Sequence, residues 1–273
     1  MKPPENHEGA RDRGVDPDGI CGQISVLILT YTEAPHIGRT LAMLGWARRV
    51  LILDSFSCDE TLEIAAQFSN VDIVQRKFDS FAEQCNFGLS LIQTTWVLSL
   101  DADYVLTNEL IEAISAIGRE EEITGYTAAF EYCVYGKPLR KTVLPARTIL
   151  YQRESAHYQN EGHSHRVHIE GTVAHLPGFI RHDDRKPLSR WFRSQISYME
   201  LEAPHLQNKG DAELSLPDRL RKRIVYAPMV MFFYTLLWQR LILDGWHGWF
   251  YVCQRTIAEL ILSIYLLDGR LKK

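Results

Sequence analysis

WVLSLDADYVL, Trp96 to Leu106, runs five mostly apolar residues into two aspartates that flank a single alanine. The apolar half reads as a buried strand. The aspartates would repel each other and are costly to bury unpaired. Two readings account for them. Either residue can cap the following helix while its partner stays in water. Alternatively, the pair supplies oxygen ligands to a divalent cation, since Mg²⁺ and Mn²⁺ take one or two carboxylates and complete their shell with phosphate oxygens and water.

The surrounding chain has a regular rhythm. ISVLILT (Ile24–Thr30) and RVLILD (Arg49–Asp54) are apolar, β-branched runs of the kind found in covered parallel strands, and VDIVQ (Val71–Gln75) is a shorter third. Helical stretches are predicted at 37–46, 57–68, 80–92 and 107–118, the last with Thr107 as cap and Gly118 as stop. Strands alternating with helices predict a doubly wound, mostly parallel α/β sheet, whose ligands bind beyond the carboxyl ends of the strands. Three such ends carry polar residues: Tyr31-Thr32-Glu33, Asp54-Ser55, and Asp101 with Asp103. That convergence favours the cation reading.

Beyond Gly118 the rhythm changes. Thr127–Gly136, Arg147–Glu154 and Ser164–Leu176 read as strands of a mixed or antiparallel extension. A long helix is predicted from Leu188 to Leu206. Arg219–Leu243 then places a basic start before fifteen uncharged residues, Ile224–Trp238, and GWHGW (Gly245–Trp249) reads as a polar turn before a last helix. The resulting division is a disordered tail over 1–22, a catalytic α/β domain over 23–210, and a C-terminal helical appendage over 211–273.

Composition narrows the function classes. The chain of 273 residues carries net charge −4, with 11 Lys and Arg against 7 Asp and Glu between Arg181 and Arg240. This is a local basic patch, not the charge of a nucleic-acid binder. Five scattered cysteines without a C-x-x-C pair point to a reducing compartment. The polar first twenty residues lack the apolar core of a signal peptide.

Taken together, ISVLILTYTE, ILDSFSCDET and WVLSLDAD resemble the family 2 glycosyltransferases over roughly Ile24–Leu267, and among these the bacterial enzymes of lipopolysaccharide core and envelope glycans. D-x-x-S-x-D-x-T (Asp54, Ser57, Asp59, Thr61) followed some forty residues later by D-x-D carries the resemblance. It implies a GT-A fold, an inverting and metal-dependent sugar transfer from a nucleotide-sugar donor, and a saccharide or lipid-linked saccharide acceptor. It also implies Mg²⁺ or Mn²⁺ on Asp103, with His182 as a further metal contact. Thr30, Tyr31, Glu33, Asp54 and Asp101 would serve the nucleotide, and Gln84 and Asn86 would point into the cleft. Within NEGHSHRVHIEG (Asn160–Gly171), Glu161 is the first candidate for general base, with His163 and His165 as alternatives.

Two positions depart from the family pattern: its usual asparagine in the first loop is Thr32, and a basic residue of the third helix is Cys85. Six of ten histidines lie between His157 and His182, but their spacing matches no common zinc motif. Asp183 to Lys186 read as a solvated ion-pair cluster. The apolar C-terminal stretch is a buried helix, a homo-oligomer interface, or a monotopic helix pair with Arg219, Arg221, Lys222 and Arg223 at anionic headgroups on the cytoplasmic face of a membrane. Competing functions are a haloacid-dehalogenase-type phosphatase using Asp101 and a non-catalytic sugar-binding relative.

Overall fold

In a computed structural model, residues 19–118, 122–161 and 164–272 are described. Most of the expected tail and the whole of His163 lie outside them. A short 3-10 turn, Ile20–Gln23, leads into β1 (Ile24–Thr30), followed by α1 (Ala34–Ala42), β2 (Arg49–Asp54), α2 (Thr61–Ala65), β3 (Val71–Gln75), α3 (Phe81–Leu91) and β4 (Trp96–Asp101). α1, α2 and α3 are each shorter than the helical stretch expected there.

β3, β2, β1 and β4 are adjacent and parallel in that order. Their apolar runs fill both faces: Val26, Ile28, Val50 and Ile52 enter one core cluster, Leu27, Leu51 and Val97 the other. Gly88 lets α3 lie directly on β1, since a Cβ there would stand 2.5 Å from Leu27 Cδ1.

The extension is mixed. β5 (Tyr104–Leu106) and α4 (Asn108–Ser115) precede β6 (Ile123–Val134), β7 (Lys137–Pro138) and β8 (Arg147–Gln152). β9 (Ala156–Glu161) and β10 (Ser164–Ile169) form a separate hairpin, and β11 (Thr172–His182) returns to the main sheet. The single strand expected at Ser164–Leu176 is therefore two, broken at Gly171, whose φ of 114° suits glycine. The sheet runs β3-β2-β1-β4-β8-β6-β11-β5. β5 pairs antiparallel with β11 and sets Tyr104 opposite His182.

α5 (Leu188–Asn208) follows, then α6 (Leu216–Arg221), α7 (Tyr226–Phe233) with a π-helical continuation over Tyr234–Trp238, and α8 (Gly245–Leu271). GWHGW is not a turn but the first stretch of α8. Gly248 is required there because a Cβ would meet the Leu241 carbonyl oxygen. α8 packs on α5 through Ala203, Leu206, Ala258 and Leu262, and also lies against α7.

Candidate functional site

At the carboxyl edge of the sheet the D-x-x-S-x-D-x-T side chains work as a clasp. Asp54 is 0% exposed, and its oxygens accept from the hydroxyls of Thr30 and Ser57, the Ser57 amide and the Gln75 amide nitrogen. Ser57 Oγ in turn accepts from the Thr32 amide at 2.8 Å, and Thr61 Oγ1 from the Glu33 amide at 2.8 Å. Asp59 accepts from Ala34 and Thr61. Thr61 and the backbone amides hold the Asp59 carboxyl below its ordinary value against the opposing effect of burial. The motif thus fixes the loop after β1 from behind. Thr30 and Asp54, expected on the nucleotide surface, are turned inward with their hydrogen-bonding capacity used.

Thr32 has φ 58°. This left-handed conformation suits asparagine and strains a β-branched residue. The position therefore explains why asparagine is usual there in the family the chain resembles.

Two more expected nucleotide contacts are corrected. Gln84 is buried and donates to the carbonyls of Arg76 and Lys77. Asn86 exchanges two hydrogen bonds of 3.0 Å with the backbone of Tyr158, pinning β9 to α3. Both amides serve backbone groups. Cys85 lies in the core beside them, its thiol pushed up by burial and the charge of Asp101, so this helix brings no cation to the cleft.

The aspartates of WVLSLDADYVL cap no helix. Thr107 does that for α4, accepting from Leu110. They form a turn between β4 and β5 that Thr40 of α1 holds through the Ala102 carbonyl at 2.7 Å. Asp101 ends β4, half-buried, near Tyr104, whose hydroxyl is pushed well above its ordinary value by burial and by that charge. Asp103 is only 7% exposed, and its Oδ2 lies 3.3 Å from His182 Nε2. The β5–β11 register causes this meeting: His182 sits opposite Tyr104, next to Asp103. Tyr104 and Tyr132 set ring edges against the imidazole at 5.4 and 5.1 Å.

The segment after β11 completes the site. Asp183 to Lys186 are not a solvated cluster. Asp183 is buried and accepts from Arg39, Arg185 and the Gly136 amide. Lys186 Nζ lies 3.1 Å from Glu33 Oε1 and 3.4 Å from Asp103 Oδ2. Arg190, in the first turn of α5, donates to the carbonyls of Thr32 and Tyr31 and reaches Glu33 Oε1 at 3.3 Å. Beneath them His36 sits fully buried between Glu33 Oε2 and the Arg185 amide, which donates to its Nε2.

These charges tune one another. Burial pushes the Asp103 carboxyl up, but His182 and Lys186 outweigh it and hold the group far below the usual carboxylate range. Burial lowers His182 and Lys186, and the surrounding carboxylates, Asp103 foremost with Asp184 in both, together more than reverse it.

The donor set fits a divalent ion. Two ligands side by side on an ion at about 2.1 Å lie about 3 Å apart, and the Asp103–His182 pair is separated by 3.3 Å. His182 Nδ1 is buried without a hydrogen-bond partner among the described residues, so the ring is oriented by its aromatic neighbours and by Asp103. No cluster of three or more His, Cys, Asp or Glu is arranged to hold a metal among the described residues. An ion here would have two protein ligands and take the rest of its shell from elsewhere.

Of the base candidates, Glu161 ends β9 opposite Ser164, and His165 faces Asn160 across the hairpin. Only their backbone is described. Asn160 anchors that hairpin, bonding Ser80 and the Ala82 amide at the start of α3.

A model described as Glycosyl transferase family 2 matches residues 25–172, more than half of the chain, from β1 to the start of β11. The chain belongs to glycosyl transferase family 2. A Rickettsia felis protein described as an uncharacterized glycosyltransferase is 32% identical over 96 residues, covering 35% of this chain and 34% of its own. One from Rickettsia prowazekii is 27% identical over 144 residues, covering 50% and 49%. The chain thus spans between a third and a half of the length of these curated relatives. Among solved structures, the mannosyltransferase PcManGT from Pyrobaculum calidifontis, in complex with GDP-Man and Mn²⁺, gives a TM-score of 0.51 at 14% identity, over 92% of this chain and 86% of that one. S. aureus TarS 1-349 with UDP-GlcNAc gives 0.49 at 14% identity, over 92% of each chain. The fold of this family 2 chain is GT-A, with a C-terminal helical appendage. Membership leaves the phosphatase reading of Asp101 without support, since that chemistry belongs to another fold.

Proposed function

We propose that this chain is an inverting, divalent-metal-dependent glycosyltransferase that moves a sugar from a nucleotide-sugar donor to a saccharide or lipid-linked saccharide acceptor. The observation that carries the reading is the buried Asp103 carboxylate 3.3 Å from His182 Nε2 at the carboxyl edge of a family 2 sheet. A bound Mg²⁺ or Mn²⁺ would neutralise charge developing on the departing diphosphate. The GT-A neighbour solved with GDP-Man and Mn²⁺ supports that chemistry.

The chain's own groups have assignable tasks. Asp103 and His182 hold the ion. Asp101 and the exposed Tyr31 face the nucleotide, while Asp54 fixes their loop from behind. Glu161 on the β9–β10 hairpin takes the acceptor proton, with His163 and His165 as the alternatives. Hydrolysis of a panel of UDP- and GDP-sugars with Mn²⁺, followed by Glu161→Gln, tests this. Loss of transfer with nucleotide binding intact supports the carboxylate base; retained turnover passes the role to a histidine.

The acceptor side supports a place at the cytoplasmic face of a bacterial membrane, in envelope glycan synthesis. Met229, Val230, Phe233, Leu237 and Trp238 are exposed together along one groove, and Trp246, in the first turn of α8, is 86% exposed. The apolar helix Tyr226–Trp238 is about 20 Å long at 1.5 Å per residue, too short for a core of about 30 Å, so it suits lying in the interface. Leu241–Leu271 is long and apolar enough to cross a membrane, but 39% of its apolar window is buried inside the protein.

Arg221, expected at headgroups, is turned inward onto Glu202 at 2.7 Å and Glu259 at 3.4 Å. Arg223 and Arg240 flank the apolar helix, exposed and without an ion-pair partner among the described residues, and take the headgroup role. Flotation with phosphatidylethanolamine–phosphatidylglycerol vesicles should fail in Trp238→Ser/Trp246→Ser. Unchanged flotation of that variant, or concentration-dependent dimers without vesicle binding, would favour a homo-oligomer interface.

A further inference from the structure

Lys186 draws three carboxylates from three separate parts of the chain. Its Nζ is 3.1 Å from Glu33 Oε1 in the loop after β1, 3.4 Å from Asp103 Oδ2 in the β4–β5 turn, and 3.9 Å from Asp184 Oδ1. The side chain is 18% exposed, so this is a built arrangement and not a chance surface contact. Asp103 Oδ2 is also the oxygen nearest His182 Nε2. An ion held by Asp103 and His182 and the Lys186 ammonium therefore call on one oxygen, and two cations so close repel.

A divalent ion on Asp103 Oδ2 would stand beside the Lys186 ammonium, a second cation at the same oxygen. A diphosphate arriving with the ion brings negative charge between the two and offers the ammonium new oxygens.

We propose that Lys186 competes with the divalent ion for Asp103 and so makes ion binding conditional on the diphosphate of the nucleotide. Lys186 is a positioning residue in this role: it acts on the site through Asp103. The inference rests on the reading of Asp103 and His182 as the metal pair.

Calorimetric titration of the full chain with MnCl₂, alone and with UDP, GDP or inorganic pyrophosphate, tests it without any variant. The wild type should bind Mn²⁺ at least about tenfold more tightly with one of these diphosphates, within the range usual for coupled sites. Equal affinity with and without them overturns the proposal. Lys186→Gln should tighten binding of Mn²⁺ alone by about tenfold and shrink the coupling, while Lys186→Arg stays near wild type. A merely structural lysine would give weaker, not tighter, ion binding when removed, so an unchanged or weakened Lys186→Gln contradicts the competition. No Mn²⁺ uptake by the wild type with any diphosphate would instead remove the metal pair itself.

Discussion

Replacing Thr32 by asparagine should make the protein more stable, although it deletes a native side chain next to the active site. Thr32 holds φ 58° in the loop after β1. An L-residue in that region costs roughly 1–2 kcal/mol, with β-branched residues the least tolerant. The loop is held there by backbone groups: the Thr32 amide donates to Ser57 Oγ at 2.8 Å and its carbonyl accepts from Arg190 at 2.7 Å. Neither bond uses the threonine side chain, so Thr32→Asn and Thr32→Gly both keep them. Asparagine should recover about 1 kcal/mol. Glycine should recover the same strain less about 0.4–1 kcal/mol of added unfolded-state entropy, and so fall between wild type and asparagine. For a domain of this size about 1 kcal/mol corresponds to a rise of roughly 2–4 °C in melting temperature. Urea unfolding followed by circular dichroism measures the order. If both variants are less stable than wild type by more than about 0.5 kcal/mol, the positive φ stores no strain and the clasp argument for this loop fails.

Four further outcomes follow from particular residues. Asn86→Ala strands two backbone groups of Tyr158 and should cost about 2 kcal/mol or more, with transfer falling while the nucleotide-induced melting shift survives. Gly88→Ala drives a methyl to 2.5 Å from Leu27 in the core and should destabilise by about 1–3 kcal/mol on thermal unfolding. Arg221→Ala removes the cation from between buried Glu202 and Glu259 and should cost about 3–5 kcal/mol. Arg223→Gln/Arg240→Gln should leave stability unchanged and weaken flotation with anionic vesicles, which a swapped pair of results would contradict.

Much of the sheet was legible because β1, β2 and β4 are continuous apolar runs with no second interpretation at that length. Asp103 and His182 were legible as residue types in telling places. Their meeting was not, since it depends on a three-residue strand, Tyr104–Leu106, that no periodicity marks. Direction was the harder quantity. Asp54, Gln84 and Asn86 are the right chemistry at the right strand and helix ends, yet each turns to a backbone or hydroxyl group that local sequence does not reveal. His36 and Arg190 escaped notice for a related reason: His36 lies about 150 residues from Lys186 and Arg190 along the chain, and the three acquire meaning only when the segment after β11 and α5 fold back over the β1 loop. Asp183 to Lys186 looked like a solvated ion-pair cluster because sequence shows charge but not burial. GWHGW looked like a turn because two glycines break most helices, whereas Gly248 is there to admit the Leu241 carbonyl.

The most direct test of the account is the melting temperature with Mn²⁺ and a nucleoside diphosphate, UDP and GDP in turn, for wild type and for Asp103→Asn. The wild type should show a rise that needs both metal and nucleotide, and Asp103→Asn should lose the metal-dependent part while keeping its fold. A full metal-dependent rise in Asp103→Asn would contradict the assignment of the ion to the aspartate of WVLSLDADYVL.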